Sequence, residues 1–211
     1  MIIQWLGHAC FLIAFSDGRV LMTDPFGPEV GYPRPAYPAD VVTVSHQHFD
    51  HNAVKQFPGR PRVIEGEGCH VLEGITITGV PSFHDSSKGG QRGKNTIFVI
   101  EAEGLRVCHL GDLGHVLEEE QVEQIGRVDV LMIPVGGFYT IGAGEAVRVV
   151  EQLKPKYVLP MHYKTSYIDF PISTADDFLS RFPGCRREQE LRVTADSLPA
   201  SAQAVIIELK K

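Results

Sequence analysis

Five apolar segments of this 211-residue chain are each followed by a histidine or an aspartate, and this pattern constrains the fold more than any other. The segments have the length and the Val/Ile/Leu content of buried strands. The side chains that follow them are Asp24, His46, His84, Asp112 and His162. Rigid strands hold positions while the loops after them carry chemistry, so we expect these side chains to meet along one edge of stacked sheets.

The segment HQHFDH, residues 46–51, places three histidines and one aspartate within six residues. Imidazole nitrogen and carboxylate oxygen are ligands that zinc and similar divalent ions take in proteins. His46 and His48 can turn towards one ion, while Asp50 and His51 turn towards a second. Four ligands cannot fill two coordination shells, so the others must come from elsewhere in the chain, and the natural suppliers are His84, Asp112 and His162.

Hydrophobic periodicity predicts several short strands and a smaller number of helices, which is typical of an α/β fold. Strands are expected near residues 2–5, 10–16, 19–24, 40–46 and 75–81. A polar helix is expected over 117–125. A second helix is expected within AGEAVRVVEQLKP, because apolar residues recur there at helical spacing, namely Ala146, Val149, Val150 and Leu153.

The composition is that of an ordinary soluble globular protein, with 43% hydrophobic and 22% charged residues. The net charge of −6 argues against binding to nucleic-acid polymers and leaves a small-molecule substrate as the expected partner. The apolar N-terminus is too short to span a bilayer and does not resemble a signal peptide. The four cysteines form no CxxC pair, so a reducing cytoplasm fits best. The sequence leaves open whether the chain forms a homo-oligomer.

The HxHxDH motif, followed by a lone histidine, a Gly-Asp pair and a late histidine, resembles the metallo-β-lactamase superfamily. The resemblance runs from Asp24 to His162. The segments WLGHACF, HLGD and PMHY are similar to its simple metal-dependent hydrolase branch, which includes bacterial ascorbate-lactone hydrolases and N-acyl-phosphatidylethanolamine phospholipase D relatives. The resemblance implies an αββα sandwich of two mixed β-sheets flanked by helices, formed by residues 1–211 as a single domain.

The same resemblance implies a ligand set for two divalent metal ions. The first ion would bind His46, His48 and His84, and the second would bind Asp50, His51 and His162. Asp112 would bridge the two ions, and Asp24 would orient a ligand without binding metal itself. Asp50 and Asp112 would take part in catalysis. Zinc is the expected metal, and manganese, iron and nickel accept the same ligands.

A hydrolytic function follows from such a pair of ions. A water between them would lose its proton near neutral pH, and the hydroxide would attack a carbonyl carbon or a phosphorus. The first hypothesis is therefore hydrolysis of a small ester, lactone or amide. The second is a phosphodiesterase that acts on a nucleotide or a phospholipid. The third is a non-catalytic or redox metal-binding protein.

Several polar residues near the motifs have two interpretations each. Asp24 could instead cap the turn at Pro25, and His8 is either close to the site or a core histidine. His109 competes with Asp112 as a ligand, but the two face opposite sides of an extended strand unless the chain bends at Gly111. We therefore expect His109 to be a bonded strand histidine, and His115 to lie in a loop or at a helix start.

Substrate choice is expected to come from the loops at 26–39, 85–95 and 136–144. Within the last of these, Tyr139 either contacts the substrate or packs in the interior. Lys164 is a candidate for contact with an anionic group. The polar loop SSKGGQRGKN is not a P-loop, yet it follows His84 closely and offers three cations to an anionic substrate, namely Lys88, Arg92 and Lys94.

Overall fold

The computed structural model describes residues 1–33, 38–56 and 58–209, and within them the chain forms two mixed β-sheets. This is the sandwich that the sequence predicts. Residues 34–37, which belong to the predicted loop at 26–39, lie outside the described residues. Within the described part of the chain, no helix is long and apolar enough to cross a membrane.

The first sheet contains six strands among the described residues. Its first four strands in the order below pair antiparallel, and its last three run parallel to one another. In spatial order the strands are β13 (Leu191–Arg192), β1 (Ile2–Gly7), β2 (Cys10–Ala14), β3 (Val20–Thr23), β4 (Val41–Val44) and β5 (Arg62–Glu65).

The second sheet contains eight strands within the same described ranges. Its four strands from β6 to β9 pair antiparallel, and the rest of the sheet is parallel. In spatial order the strands are β12 (Arg186–Glu188), β14 (Gln203–Ile207), β11 (Tyr157–Met161), β10 (Val130–Pro134), β9 (Leu105–His109), β8 (Lys94–Ala102), β7 (Ile75–Phe83) and β6 (Gly68–Leu72).

The α-helices of the described chain all follow β9 and accompany the second sheet. Helix α1 (Glu119–Ile125) packs on β7, and α2 (Ala143–Leu153) packs on the short α3 (Asp176–Leu179). The helical spacing of α2 is confirmed, because its apolar positions are the buried ones, namely Ala146, Val149, Val150 and Leu153. The connections of the first sheet contain only short 3-10 turns within the described residues.

One apolar core lies between the sheets and holds them face to face. Phe11 and Ile13 of β2 and Phe98 and Ile100 of β8 are fully buried in it. Burying a side chain of this size stabilises the fold by roughly 1.5–3 kcal/mol. Strands β10 and β11 are buried at every position, as expected of parallel strands that are covered on both faces.

The two sheets are also joined by backbone hydrogen bonds at the edge where the predicted side chains lie. Thr96 of β8 donates its N–H to the carbonyl of Ser45, just after β4, at 2.9 Å. His162, just after β11, donates its N–H to the carbonyl of His8, just after β1, at 3.1 Å. This edge of the sandwich is therefore fixed by direct bonds as well as by packing.

The loop after β10 provides a stability test at Gly136. A Cβ atom at Gly136 would lie 2.3 Å from the carbonyl oxygen of His162, and this contact is with backbone that cannot move aside. We expect Gly136→Ala to lower the free energy of unfolding by about 1–3 kcal/mol. Thermal unfolding of the purified variant measures the change.

Gly144 is the matched control for this substitution. It is exposed in the first turn of α2, and a Cβ atom there would meet nothing within 4 Å. Gly144→Ala should leave stability unchanged or raise it by up to about 1 kcal/mol, because alanine favours the helix. Equal melting temperatures for the two variants would contradict the close approach at Gly136.

Candidate metal centre

The loop after β4 gathers one group of imidazoles at the joined edge of the sheets. His46 and His48 leave this loop, and His84 follows the last residue of β7. One nitrogen from each of the three rings lies within 4.8 Å of the others, so the group could hold a metal ion. His46 Nε2 and His48 Nδ1 are 3.0 Å apart. His46 and His84 are buried, whereas His48 is exposed towards the opening.

A second group lies beside the first. Asp50 and His51 come from the same loop, His162 follows β11, and His8 follows β1. One ligand atom from each of these four residues lies within 4.8 Å of the others. His51 Nε2 and Asp50 Oδ2 are 3.7 Å apart. His46 and His48 of the motif thus lie in the first group and Asp50 and His51 in the second, while Asp24, His46 and His51 form a third group that overlaps both.

Asp112 lies between the two groups. Its Oδ2 atom is 3.2 Å from His84 Nε2, which belongs to the first group. The same oxygen is 3.3 Å from Nε2 of His51 and 3.3 Å from Nε2 of His162, which belong to the second. One buried carboxylate thus faces imidazoles that reach it from both sheets. Asp112 is therefore the carboxylate that both groups of imidazoles share.

The chain bends at Gly111 to direct Asp112 into the site. Gly111 has φ +55°, and a Cβ atom there would lie 2.4 Å from Asn95 Oδ1. Asn95 Oδ1 accepts the N–H of Asp112 at 2.9 Å, while Asn95 Nδ2 donates to the carbonyl of Leu110 at 2.9 Å. Asn95 was not predicted from the sequence, because a single asparagine in a strand has no distinctive spacing.

Asp24 orients two of the histidines. Its Oδ2 atom accepts a hydrogen bond from His51 Nδ1 at 2.9 Å and another from the hydroxyl of Ser45 at 2.5 Å. The Ser45 oxygen lies 2.9 Å from His46 Nδ1. Since the hydroxyl hydrogen is engaged with Asp24, His46 Nδ1–H donates to Ser45. Both rings consequently present Nε2 to the site, and Ser45 is a residue that sequence reasoning missed.

His8 lies in the second group and contacts Asp50. His8 Nε2 is 3.0 Å from Asp50 Oδ2, and the rings of His8 and His162 have centroids 4.1 Å apart. Burial, reinforced by the neighbouring His162, lowers the pKa of His8 to about 4. The ring is therefore neutral at pH 7, and its Nε2–H donates to Asp50. His8 is buried, as a core histidine would be, and it also contacts the site.

Three residues of the site have left-handed backbone conformations that side chains with a Cβ atom rarely adopt. His8, Asp24 and His162 have φ of 53°, 39° and 50°. Such conformations cost of order 1–3 kcal/mol each and persist only where the surrounding structure enforces them. The packed sheets around this edge supply that enforcement.

The electrostatics of the site centre on Asp112 and His51. Burial alone would raise the pKa of Asp112, but His162 and His51 outweigh it and hold this pKa well below its usual range. Burial alone would lower the pKa of His51, but Asp112 and Asp24 outweigh it and raise this pKa well above its usual value. The site is thus an ionised carboxylate beside a protonated imidazole.

The polar atoms of the site fit a cation. Asp112 Oδ1 is buried and forms no hydrogen bond within the described residues, and His51 Nε2 has only the 3.3 Å contact with Asp112 Oδ2. Leaving such atoms unpaired costs roughly 1–3 kcal/mol each, which is why buried polar groups are nearly always satisfied. A divalent ion ligated by imidazole nitrogen and carboxylate oxygen would satisfy them. The donor set is the one that zinc, manganese, iron and nickel share.

The other predicted residues have separate positions. His109 hydrogen-bonds to backbone groups only, and its Nε2–H donates to the carbonyl of Ala9 at 2.8 Å. It is therefore the bonded strand histidine that was expected. His115 lies in the loop after β9, where its Nε2 accepts the N–H of Phe83 at 3.2 Å. Lys164 donates from Nζ to the carbonyl of Phe170 at 3.0 Å and pairs with the exposed Asp169 at 3.2 Å, and its contact with an anionic group stays a prediction.

A cavity of about 360 Å³ opens onto the two groups. The loop after β10 contributes Tyr139 to its wall, and the loop after β7 contributes Arg92. The loops predicted to surround the site at 85–95 and 136–144 therefore do so. The remaining lining residues combine site residues with two phenylalanines, namely His48, Phe49, Asp50, His84, Asp112, His162 and Phe170.

The bonding of Asp24 predicts the effect of Asp24→Asn on metal retention. Asparagine keeps the shape and tolerates the left-handed backbone, but its amide cannot supply the charge that holds His51 and Ser45. We expect metal affinity to fall about 10–100-fold. Competition with a chelator measures the change. Asp177→Asn, at an exposed position of α3, is the control, and equal affinity in both variants would contradict the orienting role.

The raised pKa of His51 predicts that metal binding releases a proton. A ligand nitrogen must be unprotonated, and His51 carries a proton at pH 7 in the metal-free protein. Metal affinity should therefore rise with pH up to the pKa of His51, with about one proton released per molecule near neutrality. Titration calorimetry in buffers of different ionisation enthalpy measures this release. Binding without proton release would contradict the protonated state.

The comparisons with known proteins agree with this geometry. A family model described as a beta-lactamase superfamily domain matches residues 2–162. A UPF0173 metal-dependent hydrolase of Methanoculleus marisnigri is 32% identical over 188 residues, covering 78% of this chain and 82% of that protein. A protein of the same name from Archaeoglobus fulgidus is 31% identical over 208 residues, covering 83% of this chain and 87% of that protein.

A solved structure is similar over nearly the whole chain. It comes from Thermotoga maritima and is provisionally assigned as a Zn-dependent hydrolase of the metallo-beta-lactamase superfamily. It is 44% identical, covers 97% of this chain and 97% of its own, and superimposes with a TM-score of 0.82. The chain therefore belongs to the beta-lactamase superfamily, among relatives named metal-dependent hydrolases, which is the family and enzyme class that the motifs predict.

Proposed function

We propose that this protein is a hydrolase that holds two divalent metal ions and cleaves a small ester, lactone or amide. The observation that carries the proposal is the position of Asp112, whose Oδ2 atom lies 3.2 Å from His84 Nε2 and 3.3 Å from His51 Nε2. These two imidazoles belong to different groups. A carboxylate shared between two groups suits a pair of ions better than a single ion.

The ligands of the two ions follow from the two groups. In this proposal His46, His48 and His84 hold the first ion, Asp50, His51 and His162 hold the second, and Asp112 binds both. When bound, such ions lower the pKa of water and polarise the oxygen of a carbonyl or phosphoryl group. Zinc is the metal we favour, because the ligand set suits it and the 44% identical structure from Thermotoga maritima is provisionally assigned as Zn-dependent.

The chain's own residues orient the site and its substrate. Asp24 and Ser45 fix the ring nitrogens of His51 and His46, and His8 donates to Asp50. A carboxylate held by such a donor keeps its orientation, which favours Asp50 as an oriented ligand of the second ion. Tyr139 lies in the cavity wall, where we propose that it contacts the substrate.

A phosphodiester is the second candidate substrate. The observation that favours it is Arg92 in the cavity wall, because a guanidinium binds phosphate oxygens in a bidentate manner. Turnover of lactones and thioesters without turnover of bis(p-nitrophenyl) phosphate would support the first candidate. The reverse result would support the second. No turnover of any of these by the fully metal-loaded protein would contradict both.

Two further features belong to the proposal. The described residues contribute to one apolar core across both sheets, which supports a single domain over residues 1–211. The four cysteines are free thiols, and burial raises the pKa of Cys108 to about 12, so this thiol is unreactive. Free thiols fit a reducing compartment such as the cytoplasm.

Replacing Asp112 tests the proposed function. Asp112→Ala removes the carboxylate that both groups share, so bound metal should fall and turnover should drop by at least about a hundredfold. Elemental analysis and a hydrolase screen measure the two effects. Asp177→Ala on α3 is the control for loss of a carboxylate at an exposed position. Full metal content with full turnover in Asp112→Ala would show that the bridging assignment is wrong.

A further inference from the structure

The loop after β7 carries an arginine that has no part in binding metal. Arg92 is half-buried and lies in the wall of the cavity that opens onto the candidate centre. The same cavity is lined by Asp112 and His84. A guanidinium beside a reaction centre is positioned to meet a substrate.

The backbone of this loop is anchored by Asp85, the residue that follows His84. Asp85 Oδ1 accepts the N–H groups of Ser87 and Gly89 at 2.8 and 3.0 Å. Asp85 Oδ2 accepts the N–H groups of Gln91 and Arg92 at 3.0 and 2.7 Å. The loop is thus wound around one carboxylate, which fixes the backbone of Arg92 relative to His84.

The side chain of Arg92 is also placed by an aromatic ring. Its Cζ atom lies 5.7 Å from the ring centroid of Tyr139, which is a cation–π distance. Within the described residues, Arg92 forms no ion pair with a carboxylate. Lys88, four residues earlier on the same loop, lies 3.7 Å from Glu118. A half-buried guanidinium without an anionic partner leaves five N–H donors available to a ligand.

The rest of the cavity restricts what that ligand can be. Phe49, Tyr139 and Phe170 give it aromatic walls, and its volume of about 360 Å³ is in the range of sites that bind small molecules. The carboxylates that line it are Asp50 and Asp112, which the proposed function assigns to the metal ions. With those ions bound, the cavity carries a net positive charge, so it favours an anion.

We infer that Arg92 and Tyr139 form a recognition subsite for an oxyanion, a carboxylate or a phosphate, that the substrate carries in addition to the bond that is cleaved. This inference rests on the proposed function and names the class of its substrate. A planar guanidinium binds such a group through two parallel hydrogen bonds, which a lysine cannot do. The aromatic walls accommodate the apolar part of the same molecule.

The test compares hydroxamic acids that share a metal-binding group and differ at the other end. Succinic monohydroxamic acid carries a carboxylate there, and isocaprohydroxamic acid carries an uncharged group of the same shape. Phosphonopropionohydroxamic acid carries a phosphonate. Calorimetry on the metal-loaded protein measures the dissociation constant of each compound. The ratio of dissociation constants, uncharged over charged, reports the subsite independently of the metal-binding group.

The variants are Arg92→Ala and Arg92→Lys, with Lys88→Ala as the matched loss of a cation from the same loop. We expect Arg92→Ala to lower the ratio about tenfold or more, Arg92→Lys to lower it less, and Lys88→Ala to leave it unchanged. Metal content and melting temperature are measured for each variant. Arg92→Lys keeps the backbone bonds to Asp85 and the positive charge near Tyr139. Its ratio of dissociation constants therefore tests the subsite even if Arg92→Ala is unstable.

The possible outcomes separate the subsite from the centre. An unchanged ratio in both Arg92 variants, or no preference for either charged compound in the wild type, would overturn the subsite and leave the metal centre standing. A wild type that retains no metal would overturn the centre and the subsite together, whereas failure of all three compounds to bind a wild type that holds metal would overturn the subsite alone. A preference for the phosphonate over the carboxylate, or the opposite, supports the subsite and identifies the oxyanion.

Discussion

The carboxylate of Asp112, shared among imidazoles from both sheets, is the interaction on which the rest of the structure depends. A buried carboxylate is costly unless cationic or hydrogen-bonding groups surround it. Here His51 and His162 hold its pKa well below the usual range. His51 follows a strand of the first sheet and His162 follows a strand of the second. The charge of Asp112 is therefore compensated when the two sheets are correctly packed against each other. The chemistry of the site and the assembly of the sandwich are therefore linked.

Backbone strain is concentrated at the same edge of the sandwich, around Asp112. Left-handed conformations at His8, Asp24 and His162 aim side chains that an ordinary turn would direct elsewhere. The backbone bond from His162 to the carbonyl of His8 couples two of these positions directly. The large apolar core supplies the stability that keeps such conformations populated. The sandwich thus acts as a rigid frame that holds the clustered histidines and carboxylates in place.

The family resemblance predicted the two-sheet sandwich, periodicity and spacing predicted many of its strands, and what they missed has physical causes. Spacing identified the ligand-bearing strand ends, because histidine clusters after apolar runs are rare. The helical spacing of apolar residues in α2 was equally clear. The short, exposed strands β5, β6, β12 and β13 were not predicted, because edge strands have weak alternation. Ser45 and Asn95 were missed because they act through hydrogen bonds to residues that are distant along the chain, namely Asp24, Leu110 and Asp112. Asp85 was missed because its bonds go mostly to backbone N–H groups of its own loop, which no side-chain pattern reveals.

The winding of the 85–93 loop around Asp85 has a consequence for how such a protein can diversify. All but one of the bonds that Asp85 accepts come from backbone N–H groups, so they do not depend on which side chains the loop bears. Positions such as Gln91 and Arg92 can therefore change identity while the loop keeps its path. The Asp85 carboxylate therefore holds the loop in place, so that substitutions on the loop can change specificity without rebuilding the neighbouring centre.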